Sequence, residues 1–334
     1  MRTSLCDVLD IDIPIVQAPI ITPVGAPAGP LLAAAVSQSG GLGTMALWLA
    51  ETGAMRTRIR ELKALTQRPF AINLRLDNEA QARLDVCLEE GVRIISLFWG
   101  DPTELAPRAK AAGAVVMQTV RSADDARKAV ACGVDIVVAQ GWEAGGHVWG
   151  TVATMALVPA VVDAVAPAQV IAAGGIADGR GMAAALALGA EGVWMGTRFI
   201  ASTETNFHPR YHERLLAASE VDTIYLEDLF DGGAWKDAPA RALRNKTVAR
   251  WEAAGRPSPG QRPHEGDVVA TSDSRGEIKR YMPTAPISDV EGDIDALPMW
   301  AGQGVGLVKR IQPAGDIVRE VNAQAESIIK RLNI

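Results

Sequence analysis

At 334 residues the chain is long enough for one large α/β domain with an insertion, or for two domains. Charged residues make up 22 % and the net charge is −6, which excludes a disordered polyelectrolyte and leaves no basic stripe for nucleic acid. Three scattered cysteines, Cys6, Cys87 and Cys132, form no CxxC pair and no metal-ligand spacing, so neither a disulfide framework nor a metal is expected. Asp7, Asp10 and Asp12 interrupt any N-terminal signal, and no apolar run suits a bilayer-spanning helix; a cytoplasmic protein is expected.

In chain order, strand and helix alternate through the first two hundred residues. Ile13–Ile20 reads as a strand and Pro30–Ser39 as a helix closed by Gly40-Gly41. Leu42–Leu47, Phe70–Leu76, Val92–Trp99, Ala114–Val120 and Val134–Gln140 read as strands two to six. Helices Gly53–Leu65, Glu79–Glu90, Thr103–Ala112 and Ser122–Cys132 separate them. The last of these has Ser122 as N-cap, acids Asp124 and Asp125 in its first turn and Gly133 beyond its end. Thr154–Val165 is a helix, Gln169–Ala173 a seventh strand, Gly179–Leu188 a helix and Gly192–Ile200 an eighth strand. Beyond it, Pro209–Ser219 and Arg241–Ala254 read as helices, and 256–296 as an irregular excursion rich in Pro, Gly and charge. An amphipathic helix closes the chain from about Ala314 to Leu332.

Eight short apolar strands, each followed by a helix, fit a closed parallel (β/α)8 TIM barrel. A doubly wound sheet is the alternative, but the first strand ends Gln17-Ala18-Pro19-Ile20 with no GxGxxG. Residues 1–208 and 301–334 are assigned to the barrel and its closing helix, and 209–300 to an insertion near the active-site face.

In such a barrel, chemistry sits where strands end. Those ends are uncharged, amide-rich and glycine-rich, with no paired carboxylates and no metal cluster. After strand six comes Gln140-Gly141-Trp142-Glu143-Ala144-Gly145-Gly146-His147, a glycine-shaped loop that delivers a proton-transferring side chain. Gly174-Gly175 and Gly196-Thr197 fall on the two loops that commonly bind phosphate, next to helix N-termini. Asn73 and Gln118 suit the hydrogen-bonding edge of a flavin, and the Ala18-Pro19-Ile20 backbone could lie along its ring; FMN is the natural occupant. Trp99 and Trp251 read as core or interface residues, and His208 and His212 as helix-surface residues.

The segments VQAPI, GGLGTM, RPFAINL, VVAQGWEAGGH, VIAAGGIADGRG and ALGAEGVWMGTRF together resemble the nitronate monooxygenase family, formerly the 2-nitropropane dioxygenases. The same pattern runs through flavin-dependent enoyl-acyl-carrier-protein reductases and a group of NADH:quinone reductases. The resemblance is strong over residues 5–208 and implies a TIM barrel with non-covalent FMN. It sets Ala18, Pro19 and Ile20 against the flavin, Asn73 and Gln118 in hydrogen bonds to it, and Gly145 near it. Ala173, Gly174, Gly175, Gly196 and Thr197 would hold the phosphate, and His147 matches the catalytic histidine. Arg75, Trp142 and Trp149 depart from the family pattern and point to a particular substrate pocket.

The leading expectation is oxidation of alkyl nitronates or nitroalkanes with O2, His147 serving as base or as partner to the anion. A histidine near its ordinary pKa could do either. The first alternative is a reductase of quinones or enoyl thioesters fed by NAD(P)H. The second, of another class, is a flavin-binding protein without turnover. A homodimer is the candidate assembly.

Overall fold

The computed structural model describes residues 1–20, 28–230 and 237–332. Nearly continuous apolar runs need cover on both faces of the strands, and a closed barrel wrapped in helices provides it. The barrel strands are β1 (Ile15–Gln17), β2 (Gly43–Ala46), β3 (Phe70–Arg75), β4 (Ile94–Phe98), β5 (Val115–Val120) and β6 (Ile136–Gln140). After a two-residue strand, β7 (Gly146–His147), come β8 (Gln169–Ala173) and β9 (Gly192–Met195). The eight longer strands pair in parallel in the order β1-β9-β8-β6-β5-β4-β3-β2. A parallel bridge between Val16 and Leu42 closes the ring.

α1 (Ser4–Leu9) lies at the bottom of the ring, and outside it lie α2 (Ala28–Gln38), α3 (Thr52–Leu65), α4 (Ala80–Glu89), α5 (Leu105–Ala111), α6 (Ala123–Ala131), α7 (Thr154–Val165) and α8 (Gly179–Ala187). The four-residue α9 (Thr197–Ile200) follows β9, so the expected eighth strand ends at Met195 and turns helical. After α10 (Pro209–Ala217) and α11 (Lys246–Ala253), the closing helix α12 (Ala314–Leu332) packs on α8 and α2. It fills the gap that the short α9 leaves. Gly179 permits the close approach, because a Cβ there would run into Gln324.

Strand alternation separates two cores. Ile72, Leu74, Val116, Val120, Val137 and Ala172 face the helices. Val16, Ala71, Ile94, Met117, Ile136, Ile171 and Trp194 face inward, where Leu5, Cys6 and Leu9 of α1 plug the bottom. Among the described residues no helix is long and apolar enough to cross a membrane.

The insertion is more regular than its composition suggests. Strands β12 (Val268–Ser272), β13 (Gly276–Lys279) and β14 (Val290–Gly292) form an antiparallel sheet within the stretch read as irregular. The predicted helix Arg241–Ala254 starts only at Lys246, where the Asn245 side chain caps it by accepting from Val248 N. Residues 241–243 belong instead to β11 (Ala240–Leu243), paired with β10 (Thr223–Leu226) on one side. Its other side pairs with β7, that is, with the loop carrying His147.

Candidate active site

The loop after β6 is held at each turn by its neighbours. A Cβ at Gly141 would collide with Thr154, so glycine is needed for the chain to pass the start of α7. The Glu143 carboxylate accepts from Thr154 N at 2.9 Å and from Thr154 Oγ1 at 2.9 Å, placing an anion at the N-terminus of α7. The Gln140 amide donates to His147 O (3.1 Å) and accepts from Trp149 N (3.3 Å), bridging the two ends of the loop. Gly146 turns at φ +69°. His147 then pairs with Ala240 of β11, and Val148 N donates to Pro239 O at 2.9 Å.

Half-buried aromatic rings surround the histidine. Its ring centre lies 6.4 Å from that of Trp99 and 5.7 Å from that of Trp300. Trp99 in turn meets Phe98 (5.3 Å) and Trp149 (5.1 Å). Trp99 holds φ +58°, an uncommon and costly conformation for a bulky residue, at the end of β4. Trp99 packs among the rings beside His147. Its position at a strand end was the legible clue; its backbone twist was not. Trp251 does pack within the insertion, donating to Pro257 O at 2.9 Å.

Burial pushes the His147 pKa down to about 3, with the positive charge of Arg75 as the second cause. The imidazole is therefore neutral at physiological pH, where the sequence alone suggests an ordinary value. Arg75 lies on the inner face of β3, buried, with its guanidinium 4.9 Å from the Trp48 ring centre and paired to Asp77.

The expected cofactor residues divide. Asn73 faces inward opposite Ser96, its Nδ2 donating to Ser96 Oγ at 3.1 Å while its Oδ1 is buried without a hydrogen-bond partner. Thr44 on β2 has a likewise orphaned hydroxyl, which the sequence did not single out. Two orphaned polar atoms on one inner face fit a polar ring edge such as that of a flavin. Gln118 does not join them. It alternates with Val116 and Val120 on the helix-facing side, one residue out of register with the mouth. A contact from Gln118 to a flavin, as the sequence leads one to expect, would need this side chain to leave the helix-facing side.

Ala18 and Gly196 come together: a Cβ on Gly196 would lie 3.4 Å from that of Ala18, and Ala18 N donates to Met195 O at 2.8 Å. Pro19 and Ile20 continue along this rim, Ile20 bridging to Met45. Ala173 ends β8 on the inner face, and Gly174 (φ +104°) and Gly175 (φ +71°) turn away from it. These two glycines also serve packing, since Cβ atoms there would press on Gly141 O at 2.9 Å and on Glu143 Cβ at 3.3 Å. Thr197 Oγ1 accepts from Gly302 N at 2.9 Å. Gly145 has the same kind of role: a side chain there would collide with Ala301 and Gly302. The N-terminus of α8 is already occupied by the Asp178 carboxylate, which accepts from Arg180 N and Gly181 N, so only the short α9 presents a helix start at this corner.

Of the other three histidines, His264 lies exposed beside Asp267 and two have structural contacts. His208 Nδ1 accepts from Arg210 N to cap α10, and His212 Nε2 lies 3.0 Å from Ile200 O. Cys87 is buried and its thiol pKa is raised, whereas Cys132 is half-exposed beside Thr103.

A family model for nitronate monooxygenase matches residues 2–83 and 78–324. The chain is 41 % identical to "(3aS,4S,5R,7aS)-5-hydroxy-7a-methyl-1-oxo-octahydro-1H-indene-4-carboxyl-CoA dehydrogenase" of Rhodococcus jostii, over 76 % of this chain and 69 % of that protein. FabK of Thermotoga maritima superposes with TM-score 0.84 at 35 % identity, covering 100 % of this chain and 99 % of the other. The nitroalkane oxidase of Streptomyces ansochromogenes superposes with TM-score 0.79 at 27 % identity, covering 99 % and 100 %. The chain belongs to the nitronate monooxygenase family, and it is an oxidoreductase on a TIM barrel.

Proposed function

We propose that this family member is an FMN-dependent oxidoreductase whose substrate is a ring-bearing acyl thioester. The observation that carries the reading is the aromatic cluster at a neutral His147: Trp99 and Trp300 flank the imidazole, and Phe98 and Trp149 pack on Trp99 behind it. A short alkyl nitronate would leave most of these half-buried rings uncovered, whereas a rigid apolar ring system would cover them. The carboxyl-CoA relative, 41 % identical, acts on such a molecule by its name.

Asn73 and Thr44 would meet the polar edge of FMN, Ala18, Pro19 and Ile20 its ring, and Ala173, Gly174, Gly175, Gly196 and Thr197 its phosphate. Gly145 supports the loop above. FMN, when bound, supplies the two-electron chemistry. The chain supplies the proton handling. His147, kept uncharged, offers a lone pair to a proton on the carbon next to the thioester carbonyl, and its N–H can return one. The Arg75 cation favours the charge that develops on the neighbouring oxygen. The aromatic rings keep water out of the exchange.

The nitronate reading is favoured by the family model and by the nitroalkane oxidase structure. It asks much the same of the site, because a nitronate and a thioester enolate are both planar anions with charge on oxygen. One experiment separates them. Purified protein is first checked for bound FMN by absorbance, then mixed anaerobically with cyclohexanecarboxyl-CoA, with cyclohex-1-enecarboxyl-CoA plus NADH or NADPH, or with the nitronate of 2-nitropropane followed by O2. Bleaching of the bound flavin by cyclohexanecarboxyl-CoA, or consumption of NADH or NADPH with the enoyl-CoA, supports the proposal. Turnover of the nitronate alone overturns it in favour of the second reading, and a protein that takes up no FMN overturns both.

A further inference from the structure

Arg241 is 2 % exposed, and among the described residues no carboxylate lies within ion-pair distance of it. A buried guanidinium is expensive, so its surroundings must meet its donors and its charge. They do. Its Nη2 and Nε donate to the Trp142 carbonyl at 2.9 and 3.3 Å. Its plane lies over the Trp142 ring at 4.8 Å and the Tyr225 ring at 5.8 Å, while the two rings sit 5.7 Å apart. Its own backbone pairs with Gly146, one residue before the histidine. One residue of the insertion thus holds the His147 loop near both ends.

We propose that Arg241 is a positioning residue for His147: its planar, two-donor grip on Trp142, together with the β11–β7 pairing, fixes where the imidazole sits in the barrel mouth. This rests on the reading of His147 as the proton-handling group. Lysine cannot reproduce the grip, because an ammonium neither stacks flat nor presents two coplanar donors. When the grip is lost the loop loosens and water reaches the imidazole. Among the described residues the charge acting on His147 is that of Arg75 from β3, while Glu143 acts on Arg241, so substitution at 241 leaves the Arg75 field on the imidazole in place.

The test uses the protein as purified, with histidine-labelled imidazoles followed by NMR from pH 4.5 to 8.5. His147 is assigned by its absence in His147→Asn, and His208, His212 and His264 act as internal references. In the parent protein His147 should not titrate in this range. In Arg241→Lys it should begin to titrate, with kcat down about 10- to 100-fold and KM within about threefold, as expected for a misplaced catalytic group. If Arg241→Lys does not fold, Trp142→Leu removes the stacking surface but keeps the carbonyl, and should move the same signal by a smaller amount. A His147 signal unmoved in the folded variants overturns the proposal. A moved signal with unchanged turnover upholds the positioning and overturns the catalytic role of His147.

Discussion

Trp142 gives Arg241 both a carbonyl and a ring face: the guanidinium donates to the Trp142 oxygen at 2.9 Å and lies 4.8 Å from the centre of its indole. A single exposed residue of the barrel loop is thereby tied to a strand of the insertion. Trp142 keeps 36 % of its surface exposed and faces Tyr225, not the His147 enclosure. Trp142→Ala should therefore lower stability by about 1–3 kcal/mol, the sum of a partly desolvated cation–π contact and an aromatic pair. It should leave the preference for substrate size unchanged. Thermal unfolding and a substrate-size series on one variant check both halves.

Histidine 147 should make the protein acid-sensitive. Its folded pKa of about 3 lies below its ordinary 6.5, so between those values the unfolded chain binds a proton that the folded one does not. Stability then rises with pH across that window and is lost as pH falls from about 6.5 towards 3. Melting temperature measured from pH 7 down to pH 4 should fall less steeply in His147→Asn than in the parent. Equal slopes would mean that the imidazole is hydrated.

Asn73 and Gln118 should behave as opposites. Asn73→Leu should weaken FMN binding by about tenfold, the effect of one lost hydrogen bond to a buried acceptor. Gln118→Leu should leave FMN binding unchanged, and should stabilise the fold slightly by removing an orphaned buried oxygen from the helix-facing side. Flavin fluorescence titration gives the first pair of values and thermal unfolding the last.

Trp99 should govern the choice of substrate. Trp99→Ala removes the ring that bridges Phe98, Trp149 and His147. KM for a ring-bearing acyl-CoA should rise by about tenfold or more, in line with one lost aromatic contact of about 1–2 kcal/mol. Turnover of the small 2-nitropropane nitronate should change little. Parallel losses on both substrates would remove Trp99 from substrate selection.

Gly145→Ala should cost stability by about 2 kcal/mol or more, because the added Cβ collides with the Ala301–Gly302 backbone, which has no flexible end to yield. The converse change, Gly302→Ala, meets Glu143 O at 2.6 Å and should cost a similar amount. Chemical denaturation of the two single variants and the double variant checks this. Because the two sites touch, the costs should not add.

The barrel was legible in the chain because its signals are local. Apolar strands of the right length, the Ser122 cap and its first-turn acids, and glycines closing helix after helix each act within a few residues. The glycine loop to His147 was legible for the same reason. Other features depended on which distant residues came together. Asn73 and Gln118 look alike as strand-end amides, yet a one-residue difference in alternation turns one into the barrel and the other onto its helices. Residues 241–243 have a pattern that suits a helix, but the exposed edge at Gly146–His147 supplies hydrogen-bond partners that only a strand can use, and Asn245 delays the helix to Lys246. Local propensity and periodicity fixed the barrel and its mouth; the ionisation state of His147 and its hold by Arg241 arose from burial and long-range pairing, which no short window of sequence contains.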